Sequence, residues 1–173
     1  DIISGETALT SEPASTDELL LSDAGTLKSI DYSLISNLPI FRATVNGTQS
    51  IANGTYTKVE FDTEVFDPQS KYNTSDKRFT PAVAGYYFIQ AHINFNTATD
   101  AAYFQCVIYK NGSAMAGFNN ENFNYGSTGV CTVDLADDDD YYEVYVYHNT
   151  GGSADLGNST TFNIFSGYKL LGV

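Results

Sequence analysis

Between Tyr86 and Phe95 the chain alternates without a break. Tyr87, Ile89, Ala91, Ile93 and Phe95 fall on one side, and Tyr86, Phe88, Gln90, His92 and Asn94 on the other. Successive side chains of a β-strand point to opposite faces, so a period of two over ten residues fits a half-buried strand and not an amphipathic helix. The period returns at Tyr142, Val144 and Val146 against Glu143, Tyr145 and Tyr147. It returns again at Phe162 and Ile164 against Thr161 and Asn163. Asn46-Gly47, Asn53-Gly54 and Asn111-Gly112 supply hairpin turns, and Gly151-Gly152 marks another connection. About ten strands and no helix of normal length are expected, which means an all-β sandwich or jelly roll.

Length and charge narrow the class. The 173 residues suffice for one domain with its own core plus a short appendage. Acidic residues outnumber basic ones 21 to 8, for a formal charge of −13. Nucleic-acid binding needs Lys and Arg to displace counterions from phosphates, and that supply is missing; an anionic membrane would repel the chain for the same reason. No run approaches the ~18 apolar residues of a membrane span, so no membrane insertion is expected. The chain starts at Asp1, without Met and without a charged-then-apolar leader, and reads as processed or as a piece of something longer. Cys106 and Cys131 are expected on the apolar sides of their strands, Phe104/Cys106/Ile108 and Cys131/Val133/Leu135. Two buried free thiols are the simplest reading, and they fit a reducing compartment.

A spaced motif goes further than periodicity. Phe61 is followed after five residues by Asp67, after four by Tyr72, after six by Phe79, after five by Gly85 and after one by Tyr87. Tyr109-Lys110-Asn111-Gly112, Thr132-Val133-Asp134-Leu135 and Phe165-Ser166-Gly167-Tyr168 with Leu170-Leu171 then come in order. From about Ile40 to Val173 this resembles the globular head of complement C1q and its tumour-necrosis-factor-like relatives, although Ile89 and Ala91 stand where that family usually has aromatics. The resemblance implies a ten-stranded jelly roll, assembly as a homotrimer, and a binding module without catalytic residues.

Residues 1–38 differ in character from the rest of the chain. Leu19, Leu20 and Leu21, the turn Asp23-Ala24-Gly25 and the segment Thr26 to Tyr32 predict a short hairpin, with Leu27 adding apolar surface. Such a hairpin is marginal alone, so this stretch reads as an attachment arm and residues 39–173 as the jelly-roll domain. The stretch Ser11 to Lys28 resembles a segment recurrent in structural proteins of tailed bacteriophages, where it precedes fibre or decoration domains.

Candidate chemistry is sparse. With two histidines and no nucleophile elbow, phosphate loop or zinc-protease helix, no enzyme activity is expected and no cofactor is required. Asp137-Asp138-Asp139-Asp140 is the one candidate metal site. It could offer calcium several oxygens, but it lacks the alternating loop of strong calcium sites, so it is a weak calcium candidate and reads first as a solvated acidic turn. Five Asn-x-Ser/Thr sequons, at Asn46, Asn53, Asn73, Asn111 and Asn158, are glycan acceptors in a secreted protein and plain turns in a virion protein. Tyr109, Tyr141, Tyr145 and Tyr147 avoid the core side of their strands, and the resemblance implies that they line the trimer interface. Phe118, Phe123 and Tyr125, in a Gly/Asn-rich loop, are the ligand-binding candidates.

The sequence therefore predicts a non-enzymatic structural and adhesion module. In one reading it is a trimeric bacteriophage virion protein, a fibre head or capsid decoration, held on a larger assembly by its arm and able to bind cell-surface polysaccharide. The alternative is an extracellular secreted C1q-like lectin or recognition head.

Overall fold

The computed structural model describes residues 10–11, 13–14, 16–32, 35–96, 103–121 and 127–171. The chain forms two compact units, Asp1–Asn37 and Leu38–Val173. In the first, β1 (Glu18–Asp23) and β2 (Thr26–Asp31) pair antiparallel from Glu18↔Asp31 to Asp23↔Thr26. Ala24 and Gly25, with φ of 49° and 86°, make the turn; two left-handed residues in succession match the twist of a two-residue hairpin. Lys28 pairs with Asp23 beside it. Leu19, Leu20, Leu21 and Leu27 are all exposed, Leu20 by 72%.

The second unit begins with β3 (Ile40–Thr44), β4 (Gln49–Ile51), β5 (Thr57–Lys58), β6 (Thr63–Phe66), β7 (Tyr72–Asn73) and β8 (Arg78–Phe79). It continues through β9 (Gly85–Asn94), β10 (Tyr103–Lys110), β11 (Ser113–Glu121), β12 (Ser127–Ala136), β13 (Tyr142–His148), β14 (Ala154–Leu156) and β15 (Ile164–Lys169). One sheet has the order β12-β9-β15-β3-β6; the other has β11-β10-β13-β8-β7, with β5 also on β13; β14 and β4 form a small pair. These are the two layers of an all-β jelly-roll sandwich, and among the described residues every ladder is antiparallel. Among the described residues thirteen strand segments stand here against about ten expected, because β4, β5, β7, β8 and β14 have only two or three residues each. Segments that short cannot display a period of two.

The spaced motif is the core. Phe41 stacks on Phe79 with ring centroids 4.1 Å apart and on Tyr72 at 5.2 Å, and meets Phe165 edge-on at 4.8 Å. Phe61 lies 5.6 Å from Phe165, and Phe79 meets Tyr87 at 6.0 Å. Such pairs contribute about 0.5–1.5 kcal/mol each beyond the area they bury. The Tyr72 hydroxyl donates to the Phe61 carbonyl at 2.7 Å, and the Tyr87 hydroxyl to the Val83 carbonyl at 2.8 Å. Burial pushes both hydroxyls above the ordinary tyrosine pKa. The Asp67 carboxylate accepts from the Tyr72 amide at 2.6 Å, which explains an acid five residues before that tyrosine. Gly167 is required by close approach: a Cβ there would lie 2.8 Å from Ile89 Cδ1 and 2.9 Å from the Phe88 carbonyl oxygen.

On β9 the inward row is Tyr87, Ile89, Ala91 and Ile93, with Phe95 just beyond the strand, all buried. Two other strands depart from expectation. On β12 the inward residues are Thr128, Val130 and Ala136, with Thr132 and Asp134 between them, while Cys131, Val133 and Leu135 face out. Asp134 turns inward because it accepts from the Tyr142 hydroxyl at 2.6 Å and from Lys110 at 2.7 Å. Near β15, Phe162 is exposed and Asn163 is fully buried. The Asn163 amide donates to the Gly157 carbonyl at 2.5 Å, and its oxygen accepts from the Asn94 amide at 2.7 Å. That sets Phe165 and Gly167, not Ile164, against the core.

β3 and β15 are antiparallel neighbours with Ile40 opposite Tyr168, and the Lys169 amide donates to the Pro39 carbonyl at 3.2 Å. No helix among the described residues is long and apolar enough to cross a membrane.

Candidate functional site

The four aspartates of the acidic turn are unequal. Asp137, Asp138 and Asp139 are exposed, whereas Asp140 is buried. Asp140 accepts from Asn111 Nδ2 at 2.6 Å, from the Asp137 amide at 2.7 Å and from Lys110 Nζ at 2.8 Å. Burial opposes ionisation of Asp140, but the bonds from Lys110, Asp137 and Asn111 outweigh it and hold the carboxyl below the usual carboxylate range. The Asp140 carboxylate is thus tied into a salt-bridged turn, while the other three face outward. Among the described residues no group of three or more His, Cys, Asp or Glu is placed to hold a metal ion.

The tyrosines do come together, on the outer face of the sheet containing β10 and β13. Alternation sends Tyr103, Gln105, Val107 and Tyr109 outward from β10, and Glu143, Tyr145 and Tyr147 from β13. Tyr109 and Tyr145 have centroids 4.1 Å apart, and Tyr103 stacks on Tyr147 at 5.5 Å. Tyr56 joins the two pairs, 5.0 Å from Tyr147 and 6.5 Å from Tyr109, and its hydroxyl donates to Gln105 Oε1. Tyr141 lies under Arg78, whose guanidinium carbon is 3.7 Å from the ring centroid.

A charged knot ends the row. Buried Glu143 accepts from Lys58 Nζ at 2.6 Å and from Arg78 Nη2 at 2.9 Å and Nε at 3.2 Å. Burial alone would raise its pKa, but the two cations hold it below the usual range. Beside it, Lys58, Glu60, Ser75, Asp76, Lys77 and Arg78 line an open cleft of about 330 Å³. Tyr103, Tyr56 and this knot were absent from the expected site. Tyr103 was legible from the alternation with Phe104 and Cys106, whereas Tyr56 stands on a turn with no periodic signal.

The remaining candidates scatter. Phe118 is exposed on β11, and Phe123 and Tyr125 lie outside the described residues. Leu19, Leu20, Leu21 and Leu27 lie on the hairpin of the first unit. Of the histidines, His148 is fully buried with Nε2 2.9 Å from the Ile51 carbonyl, and His92 Nδ1 lies 2.6 Å from the Phe162 carbonyl. Both are structural. All five sequon asparagines are exposed. The amide of Asn111 donates to Asp140 at 2.6 Å, however, and that of Asn73 to Asp76 at 3.0 Å.

Cys106 is buried, and burial pushes its thiol far above the ordinary value; Cys131 is exposed, and both are free. The expectation of two buried thiols fails at Cys131, where the phase of β12 is set by Asp134. Cys131 belongs to an apolar strip on the outer face of the five-stranded sheet. Val133 and Leu135 are each 54% exposed, and across the sheet Tyr86 stands opposite Leu135 while Phe88 stands opposite both Val133 and Tyr168. Phe88 meets Tyr168 at 5.5 Å in the middle of the strip.

Two β-layers around an aromatic core, with function left to the surface, define a jelly-roll head of the C1q and tumour-necrosis-factor type. Residues 40–170 match the C1q domain, and the chain belongs to that family. Its members are typically non-enzymatic ligand-binding proteins whose domains form homotrimers. Among solved structures, murine APRIL at pH 5.0 superposes with a TM-score of 0.61 at 14% identity, over 76% of this chain and 98% of that one. The Eiger TNF from S. frugiperda gives 0.59 at 10% identity over 78% and 95%. The globular domain of zebrafish complement 1qA gives 0.57 at 14% identity over 76% and 96%. At these identities the likeness is one of fold. The uncharacterized protein YqcC of Bacillus subtilis (strain 168) is 27% identical over 140 residues, which cover 73% of this chain and 38% of that protein.

Proposed function

We propose that the chain is a trimeric, non-catalytic head of a bacteriophage virion, a fibre head or capsid decoration, mounted through its amino-terminal arm and presented to host surfaces. One observation carries the assembly: the outward apolar strip of Cys131, Val133, Leu135, Tyr86, Phe88 and Tyr168 on one sheet face. Contiguous apolar surface of this kind marks an interface. Closed threefold symmetry covers it with two further copies of the chain.

The row of Tyr109, Tyr141, Tyr145 and Tyr147 competes for that role less well. Its rings already pack on rings of the same chain, and Tyr141 on Arg78, so less apolar area is left for a partner copy. The two faces belong to different sheets, so burying the apolar strip leaves the tyrosines open. Three copies of an open face then act together, and linkage raises avidity ~10²–10⁴-fold without new contacts.

The virion placement is supported by the phage-like segment Ser11 to Lys28, by the arm's exposed leucines and by two free thiols, which fit assembly in a bacterial cytoplasm. Secretion is the second reading, favoured by five exposed sequon asparagines. Glycosylation would replace one of the two hydrogens on the Nδ2 of Asn73 and Asn111, nitrogens that already donate to Asp76 and Asp140. Intact mass of native material separates the two, since unmodified mass sinks the glycosylated form. Sedimentation of the full chain at micromolar concentration tests the head itself: a trimer is expected, and a monomer overturns the proposal.

A further inference from the structure

We infer that the tyrosine face is a binding site for neutral glycan chains. The inference rests on reading the head as a surface-recognition module, and it moves the contact away from Phe118 and its loop.

Tyr103, Tyr147, Tyr56, Tyr109 and Tyr145 form an unbroken run of neighbouring rings, with successive centroids 4.1–6.5 Å apart. The run extends along β10, where the six steps from Tyr103 to Tyr109 span about 20 Å at ~3.3 Å per residue. That is the length of a short oligosaccharide. The Tyr103 hydroxyl has its pKa raised by its hydrogen bond with Tyr147, and Tyr109 and Tyr145 have theirs raised by burial, so these three stay protonated at neutral pH. A pyranose shows a C–H face to an aromatic ring and hydroxyls at its edge; tyrosine offers a ring and a hydroxyl in the same arrangement.

Local charge selects among occupants. The cleft beyond Tyr141 sets Lys58, Lys77 and Arg78 against Glu60 and Asp76, with Glu143 neutralising from beneath. Three cations face three carboxylates, so the patch is balanced on a chain of net charge −13. A polyanion is repelled by the whole molecule and a polycation gains nothing at this face. A neutral polyol finds donors and acceptors side by side. The cleft, at about 330 Å³, lies at the small end of ligand pockets, which run ~300–1,000 Å³. A protein partner fits poorly: of the five rings only Tyr56 is well exposed, at 46%, and interfaces need ~800 Å² on each side.

The test is affinity electrophoresis of the full chain in native gels containing dextran, hydroxyethyl cellulose or galactomannan, with carboxymethyl cellulose as the charged arm. Retardation by at least one neutral polymer is expected. Tyr103→Ala with Tyr147→Ala should weaken it at least tenfold, and so should Tyr56→Ala, a turn position where folding is not at stake. Phe118→Ala should leave it unchanged. No retardation in any neutral gel, stronger retention by the charged polymer, or full retention by the tyrosine variants overturns the inference. Sedimentation of the same samples keeps the two readings apart, because a trimer that ignores every polymer sinks this site and spares the assembly.

Discussion

Lys110 Nζ reaches Asp140 at 2.8 Å while also holding Asp134 at 2.7 Å, so one lysine at the end of β10 ties together both sides of the acidic turn. The turn is thereby a structural device, and its residues are unequal. Asp140→Ala removes the acceptor of three hydrogen bonds and should cost about 1–3 kcal/mol, read as a lower melting temperature. Asp138→Ala and Asp139→Ala, at exposed positions, should stay within about 0.5 kcal/mol of the parent. Millimolar calcium should shift none of these melting curves; a clear rise would restore the run as an ion site.

Acid should destabilise the head through two carboxylates. Glu143 and Asp140 have folded pKa values below their ordinary ones, so each binds protons more weakly folded than unfolded. Their contribution is complete above the unfolded value, about 4–4.5, and is lost as pH falls through the lowered folded value. Melting temperature should therefore change little from neutral pH to about 5 on their account and drop below about 4. Glu143→Gln should be less stable at neutral pH and flatter in acid; an unchanged acid slope contradicts this.

Charge placed on either candidate interface distinguishes them. Val133→Asp or Leu135→Asp should dissociate the trimer, because an unpaired carboxylate cannot be buried cheaply. Tyr145→Asp and Tyr147→Asp should leave it intact. Sedimentation velocity reads the result, and the opposite pattern moves the axis to the tyrosines.

Gly167→Ala should be more damaging than its size suggests. The added carbon meets Ile89 Cδ1 at 2.8 Å and the Phe88 carbonyl at 2.9 Å, and the latter belongs to the backbone of the neighbouring strand. Overpacking of this kind costs about 1–3 kcal/mol. A denaturation midpoint equal to the parent's would show that the sheet yields.

Removal of residues 1–37 should leave a folded head, since every member of the core cluster lies between Phe41 and Phe165. The head alone should melt as one cooperative unit yet fail to join the native particle. Efficient incorporation without the arm contradicts the anchoring role.

What the sequence made legible was whatever repeats or is spaced. β9 and β13 could be read because ten and seven residues are enough to show alternation. The aromatic core could be read because Phe61, Tyr72, Phe79, Tyr87 and Phe165 stand at the family's intervals. β12 misled because Cys131, Val133 and Leu135 look like an inward row. Their outward phase is set by Asp134, whose partners Tyr142 and Lys110 lie on other strands. The inequality within the acidic run was not legible either, since four adjacent aspartates do not disclose that one of them turns inward to a lysine thirty residues earlier in the chain. Tyr56 was invisible because a turn residue meets its neighbours only when the sheet is assembled.

The pairing of β3 with β15 bears on how such a head travels between proteins. Ile40 lies beside Tyr168, and the Lys169 amide bonds to the Pro39 carbonyl, so the backbone leaves the head next to where it came in. A unit with both connections at one pole can be spliced into a host polypeptide, or repeated along it, without threading chain across its own surface. The two connections act as a single stem, and the faces away from that stem can diverge while the join is kept.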